Sequence, residues 1–117
     1  MENLSKELKD KLNTLAVVSN EHRFNILLAL LASSTLKLGK HSHTFTELKE
    51  ILNLSNPDLS YHLNSLRGVG LITKKEYTEK KGKVSYYSIS SVGKDMLKSL
   101  GLTSKQVWEA KQKVMPN

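Results

Sequence analysis

Polar side chains recur along one side of a short helix that the sequence predicts to begin near Asn56. Leu59, Leu63 and Leu66 form its apolar stripe, and at 100° per residue the opposite side is polar. That side and the first helical residue supply the candidates for contact with base edges: Asn56, Pro57, Ser60, Tyr61, Asn64 and Ser65. An asparagine amide can pair with adenine in a major groove, and hydroxyl groups can donate or accept there. A solvated helix without a binding role would show the same polar face.

Positive charge is concentrated after this helix. Residues 1–66 contain seven basic and seven acidic side chains, whereas residues 67–117 contain eleven and four and account for the formal net charge of +7. Clustered positive charge is favourable beside a polyanion, whether a nucleic acid or an anionic membrane. Lysine-rich surfaces also occur as plain solvated faces. The candidates for contact with phosphates or the minor groove are Thr46, Lys49, Arg67, Lys74, Lys80, Lys81 and Lys83.

Two predicted helices and a turn position the polar face. Thr46 can cap a helix that runs to about Asn53. Ser55, with Asp58 three residues later, can cap the helix that follows. Glycines at 68 and 70 then end this second helix, because they tolerate left-handed backbone conformations.

A hairpin is predicted next. Residues 71–78 and 84–89 are rich in β-branched and aromatic side chains and are joined by a short loop containing Gly82. Alternation places Tyr87 and Ile89 on one face, where they can pack onto the helices, and leaves a lysine-rich tip between the strands. Phosphate contacts beside base contacts fix register, so this order of elements favours DNA binding over a solvated face.

The flanking segments complete one predicted domain over residues 1–117. Residues 1–18 form an amphipathic helix, and an enclosed apolar helix begins after Ser19 or Asn20. Residues 33–43 are predicted as a loop before a very short strand at Thr44 and Phe45. Residues 20–100 make up the core unit and 103–115 a last helix. The expected fold class is α+β, mostly α.

Three motifs carry a family resemblance. Residues 45–48 read FTEL, residues 54–66 read LSNPDLSYHLNSL and residues 70–72 read GLI, followed by YYSIS at 86–90 and then Gly93. In this order, over about residues 20–100, they resemble winged helix-turn-helix transcription regulators of the ArsR/MarR type. The resemblance implies a two- or three-stranded β-wing and double-stranded DNA as partner, with the second helix in the major groove. It also implies a homodimer, formed through the terminal helices, on near-palindromic DNA.

Leu4, Leu8, Leu12 and Leu15 recur at helical spacing near the N-terminus and form a leucine seam. This seam agrees with a homodimer on physical grounds. It extends beyond the predicted DNA-binding unit, so a second copy would bury it efficiently, although it could also cap the core of one chain. Dimerisation would place two reading helices about 34–36 Å apart, one duplex turn. The candidate interface residues are Leu4, Leu8, Leu12, Leu15, Val107, Trp108 and Val114.

Other chemistries have little support in the sequence. The chain has no cysteine, which excludes disulfides and thiolate metal sites, and His41 with His43 offers fewer than the three or four ligands that zinc needs. We expect no metal and no cofactor. The catalytic motifs of phosphate-binding loops and serine hydrolases are missing, so an enzyme is not expected. The longest apolar run, residues 26–32, is far short of the roughly 20 residues that span a bilayer, and no signal-peptide pattern is present. We therefore expect a cytoplasmic, nucleoid-associated protein without membrane contact.

Two other functions stay open at this point. An architectural chromatin protein would coat DNA with little sequence preference, and the large excess of lysine over arginine suits it slightly. A protein-interaction winged helix would use the polar face for a partner other than DNA. The operator and a small-molecule effector are not encoded in any recognisable motif.

Overall fold

The computed structural model describes residues 5–35 and 42–101. Within these ranges the chain forms five helices and three strands: α1 (Lys6–Val18), α2 (Glu21–Thr35), β1 (His43–Thr44), α3 (Phe45–Leu52), α4 (Asn56–Gly68), β2 (Ile72–Glu79), β3 (Gly82–Ile89) and α5 (Ser91–Ser99). The strands form one antiparallel sheet in the order β1-β3-β2. The predicted α+β, mostly α fold with a β-wing of two or three strands is therefore confirmed. The predicted helix over residues 103–115 lies outside the described residues.

Capping side chains set the starts of the two central helices. The Thr44 hydroxyl accepts from the Glu47 backbone N–H at 3.1 Å, and the Glu47 carboxylate accepts from the Thr44 N–H at 3.0 Å. Thr44 rather than Thr46 is thus the cap of α3, and Phe45 is helical instead of extended. The reason is the residue three positions on: Thr44 has Glu47, which can return the hydrogen bond, whereas Thr46 has Lys49, which cannot.

The cap of α4 agrees with the sequence prediction, whereas the end of α2 does not. The Ser55 hydroxyl accepts from the Asp58 backbone N–H at 3.2 Å, which starts α4 as predicted. Between the two helices, Asn53 adopts a left-handed conformation with φ of 52° and makes the sharp turn. Helix α2 continues to Thr35, into the segment predicted as a loop.

Leucine and isoleucine side chains from α2, α3 and α4 form the core, with the sheet and α5 packed around them. The predicted stripe of α4, Leu59, Leu63 and Leu66, is fully buried. The apolar side chains of α2 are buried on several sides, as expected for an enclosed helix. In the part of the chain described here, no helix combines the length and apolar character needed to cross a bilayer.

The β2–β3 hairpin, called the wing below, pairs from Ile72 with Ile89 to Glu79 with Gly82. Both strands reach further toward the tip than predicted, so the turn is reduced to two residues. Gly82, directly after this turn, has a positive φ of 115°, a conformation that glycine adopts without strain. Tyr87 and Ile89 are buried against the helices, as alternation predicted. The wing therefore leaves the core as a long two-stranded arm.

Ser90 ties the base of the wing to α5. Its hydroxyl donates to the Gly70 carbonyl at 2.6 Å and accepts from the Gly93 backbone N–H at 3.0 Å. Its own N–H donates to the Leu71 carbonyl at 3.0 Å. These bonds close the wing at the end where α4 leads into β2, so the wing and α4 are positioned by the same few residues.

Candidate nucleic-acid interface

The polar face of α4 is open to solvent. Asn56, Ser60 and Asn64 are exposed, and Tyr61 keeps 63% of its surface accessible. Pro57 is also exposed and occupies the first turn, where its missing N–H leaves no bond unmade. The structure thus brings the predicted base-contacting residues together at one helix surface. Buried leucines hold the opposite side, so this surface is rigidly backed.

Ser65 is the least accessible of this set. It is half-buried, and its hydroxyl donates to the Tyr61 carbonyl at 3.0 Å, one helical turn earlier. The hydroxyl proton is therefore used within the helix, and the oxygen remains as an acceptor. Ser65 offers less chemistry to a partner than Asn64 does.

Arg23 of α2 is a residue of this surface that the sequence reasoning missed. Its guanidinium lies 5.2 Å from the centroid of the Tyr61 ring, within cation–π range. Its Nε–H donates to His62 Nδ1 at 3.2 Å and its Nη1 donates to the Val17 carbonyl at 3.4 Å. The Asn20 side chain caps the start of α2 by accepting a hydrogen bond from the Arg23 backbone N–H, which places Arg23 in the first turn of this helix. The outer side of α4 carries no net cation of its own, and Arg23 supplies one from a neighbouring helix.

His62 lies behind the exposed face and is only 7% exposed. Its ring is in contact with the rings of His22 and Tyr61, each at a centroid distance of 5.4 Å. Burial, followed by the charges of Arg23 and His22, holds the pKa of His62 below the usual histidine value, and the Asp58 carboxylate opposes this effect. His62 is therefore a hydrogen-bonded histidine at the edge of the core.

The predicted phosphate contacts fall into two groups. Most of them are exposed: Thr46 and Lys49 on α3, Arg67 near the end of α4, and Lys80, Lys81 and Lys83 at the wing tip. Lys74 differs, because it is half-buried. Its Nζ lies 3.3 Å from Glu76 Oε1 and 6.0 Å from the Tyr87 ring centroid. Its charge is already balanced within the wing. Lys74 is therefore less available to a phosphate than the tip lysines.

Helix α1 carries a row of apolar side chains that are exposed to solvent. Leu8, Leu12 and Leu15 keep 50%, 53% and 50% of their surface exposed. A groove of about 340 Å³ lies beside them, lined by Lys11, Thr14, Leu15, Val92 and Met96. Helices α1 and α5 thus share an uncovered apolar surface. Leu4, Val107, Trp108 and Val114, the other predicted interface residues, lie outside the described residues.

The histidines considered for metal binding do not assemble a site in the described ranges. His43 is buried with its Nδ1 3.7 Å from Glu47 Oε2, and His41 lies outside the described residues. Across residues 5–35 and 42–101, no cluster of three or more histidine and carboxylate side chains is placed to hold an ion.

Comparisons with known proteins agree with this geometry. A family model described as a helix-turn-helix domain matches residues 18–75. Among solved structures, the chain is similar to HlyU from Vibrio cholerae, with 28% identity and a TM-score of 0.64, over 83% of this chain and 94% of that chain. It shares its fold with a MarR-family protein from Porphyromonas gingivalis, with 21% identity and a TM-score of 0.58, over 99% of this chain and 100% of that chain. No curated protein matches the chain.

The matched segment contains the helices that carry the candidate interface. It begins at the end of α1, includes both α3 and α4, and extends into β2. The three-stranded sheet adds the wing that the motifs predicted. The chain therefore has a helix-turn-helix domain within the winged fold of DNA-binding transcription regulators.

Proposed function

We propose that this chain acts as a homodimer that binds double-stranded DNA with sequence specificity and regulates transcription. In this proposal α4 enters the major groove and the wing contacts the backbone or the minor groove. The observation that carries it is the open polar face of α4, backed by buried leucines and joined directly to a wing with exposed lysines at its tip. Phosphate contacts fix the register of a protein on the duplex, so a surface that contacts phosphates must lie beside the surface that contacts bases.

Base reading is assigned to the exposed face of α4. Asn64 and Asn56 offer amides that can pair with adenine, and Ser60 and Tyr61 offer hydroxyl groups. Pro57 and Ser65 complete the contact surface. Backbone contacts are assigned to the second set, of which the exposed members at the wing tip have the best access. The assigned backbone residues are Thr46, Lys49, Arg67, Lys74, Lys80, Lys81 and Lys83.

Dimerisation is assigned to the α1–α5 surface together with the C-terminal segment. Three leucines of α1 are about half-exposed in one copy, and one of them, Leu15, lines a groove together with the exposed Val92 of α5. Apolar area removed from water contributes roughly 25 cal/mol per Å², so covering such a surface with a second copy is favourable. Residues 1–18 and 103–115 would then serve dimerisation, and residues 20–100 DNA binding. Acting on DNA, the dimer would work in the cytoplasm, at the nucleoid.

Selection from a library of genomic duplexes at one fixed salt concentration tests this function. Strong enrichment of a near-palindromic sequence is the expected result. Equal retention of all fragments would instead identify an architectural protein. Retention of none, with amide resonances around Tyr61 and Lys81 unmoved by duplex at low ionic strength, would show that α4 and the wing contact another partner.

A further inference from the structure

Arg23 joins the scaffold to the exposed face of α4. One guanidinium reaches the Val17 carbonyl at the end of α1, the buried ring of His62, and the exposed ring of Tyr61. Val17 and His62 are fixed by the core, since Val17 packs against it and His62 is buried. Tyr61 has no such anchor, because it is mostly exposed. Arg23 therefore ties an exposed aromatic side chain to a rigid support.

We propose that Arg23 is a specificity-determining positioning residue, which holds the Tyr61 ring in the orientation used for base contact and does so only while His62 is neutral. This extends the proposed function, on which it rests, because it names what sets the geometry of the exposed face. Free aromatic rings rotate about χ1, and a planar cation over one ring face restricts that rotation. Without Arg23, α4 would still present Tyr61, but in several orientations.

The protonation state of His62 follows from donor and acceptor chemistry. A guanidinium N–H can only donate, so the His62 Nδ1 that faces it must be an unprotonated acceptor. Protonation would turn Nδ1 into a donor and place a second positive charge 3.2 Å from Arg23 Nε. The charged groups acting on His62 are Arg23 and His22 on α2 and Asp58 on α4. Of these, Asp58 favours the charged ring, and the two on α2 oppose it.

The expected pH dependence has a definite sign. Because the pKa of His62 is lowered, the neutral ring persists below the usual histidine value of about 6.5. Above that value the Arg23 contacts are complete. As the pH falls through the lowered pKa of His62, the Arg23 hydrogen bond breaks and Tyr61 is released. Sequence discrimination should then fall, while charge-driven binding to any duplex should not.

The contact itself can be tested without DNA, by NMR of the free protein from about pH 8 to about pH 5. We expect an Arg23 Nε–H signal that is protected at the upper end and disappears as the His62 ring titrates, with a simultaneous shift of the Tyr61 ring protons. His22→Gln should leave this coupling in place. The inference is overturned if the Arg23 signal and the Tyr61 ring shifts stay unchanged once the His62 ring is protonated. This outcome would leave the proposed function standing.

The effect on specificity is tested with the selected duplex and a scrambled duplex. Arg23→Lys keeps the charge but removes the planar donor group, so we expect roughly tenfold weaker binding to the selected duplex and little change on the scrambled one. Arg67→Lys is the matched control, because Arg67 is exposed in the last turn of α4, more than one turn after Tyr61. It should affect the two duplexes equally.

His62→Gln tests whether protonation of His62 is the pH-sensitive step, separately from its role as hydrogen-bond acceptor for Arg23. A glutamine oxygen can accept from Arg23 Nε but cannot titrate, so this variant should discriminate as the wild type does near neutral pH and keep that discrimination in acid. Circular dichroism checks that it is folded. Wild-type discrimination between duplexes that is constant across the same pH range would overturn the switch. Equal loss of affinity on both duplexes for Arg23→Lys would overturn the positioning role.

Discussion

Asn64 is the residue for which base contact makes the sharpest prediction. It is exposed on α4, and its amide can make paired hydrogen bonds to an adenine edge. Asn64→Ala should therefore cost on the order of 1 to 3 kcal/mol at the selected duplex and little on random DNA. Titration of both duplexes measures the difference. Asn13→Ala, an exposed asparagine on α1, is the control and should change neither. A loss that is equal on random DNA would count against base reading by Asn64.

Gly93 makes a prediction about stability at the same scale. A Cβ at this position would collide with the Leu71 carbonyl oxygen and would lie 2.8 Å from an Ile89 side-chain carbon. Because the carbonyl belongs to the backbone at the base of the wing, it cannot move aside cheaply. Gly93→Ala should lower the free energy of unfolding by about 1 to 3 kcal/mol.

Urea unfolding of Gly93→Ala and of a glycine control checks that value. Gly68 is exposed near the end of α4 and a Cβ there would meet nothing within 4 Å. Gly68→Ala should thus be neutral or raise the free energy of unfolding by up to about 1 kcal/mol. If Gly93→Ala unfolds at the wild-type urea concentration, α5 does not pack against the wing base as described.

At the scale of the element, the wing combines a rigid base with a charged tip. Ser90 closes the base, and the two-residue turn leaves Lys80, Lys81 and Lys83 exposed. Replacing these three lysines with alanine should weaken binding to all sequences, because phosphate contacts carry no sequence information. The salt dependence of log K should flatten by roughly 0.9 units for each phosphate that the variant no longer neutralises.

Binding measured over a range of salt concentrations checks this role of the wing. The control is a triple alanine variant at Lys6, Lys9 and Lys94, three exposed lysines outside the wing that give the same change in net charge. Its salt slope should stay close to the wild-type value. An unchanged slope for the wing variant would remove the wing from the contact surface.

At the scale of the whole molecule, the dimer that we propose depends on the uncovered apolar surface shared by α1 and α5. Leu12 is about half-exposed at the centre of the α1 seam, so Leu12→Lys should leave the single copy folded while placing two charges in a dimer interface. We expect a monomer by light scattering and weaker binding to a duplex with two half-sites. Tyr77→Lys is the control, since Tyr77 is 52% exposed on the wing, away from α1. A wild-type monomer, or a dimer that survives Leu12→Lys, would contradict this assignment.

Short-range patterns made much of this molecule predictable. The leucine stripe of α4 and its Ser55 cap depend on residues three or four positions apart, and both agree with the structure. Strand alternation likewise predicted that Tyr87 and Ile89 are buried. The cap of α3 was misplaced by two residues because two threonines compete there. Glu47 decides between them, because only Thr44 lies three residues before a side chain that can return the hydrogen bond.

Contacts between elements were decided only by the tertiary structure. Arg23 and His62 are 39 positions apart, and no periodicity within α2 or α4 indicates that they meet. The contact of Lys74 with the Tyr87 ring likewise depends on the register of the two wing strands. By itself the sequence determined the helices, the hairpin and the polar face, because caps and apolar spacing act locally. The packing of α2 against α4 determined which cation stands beside that face, because this depends on how distant side chains fill one core.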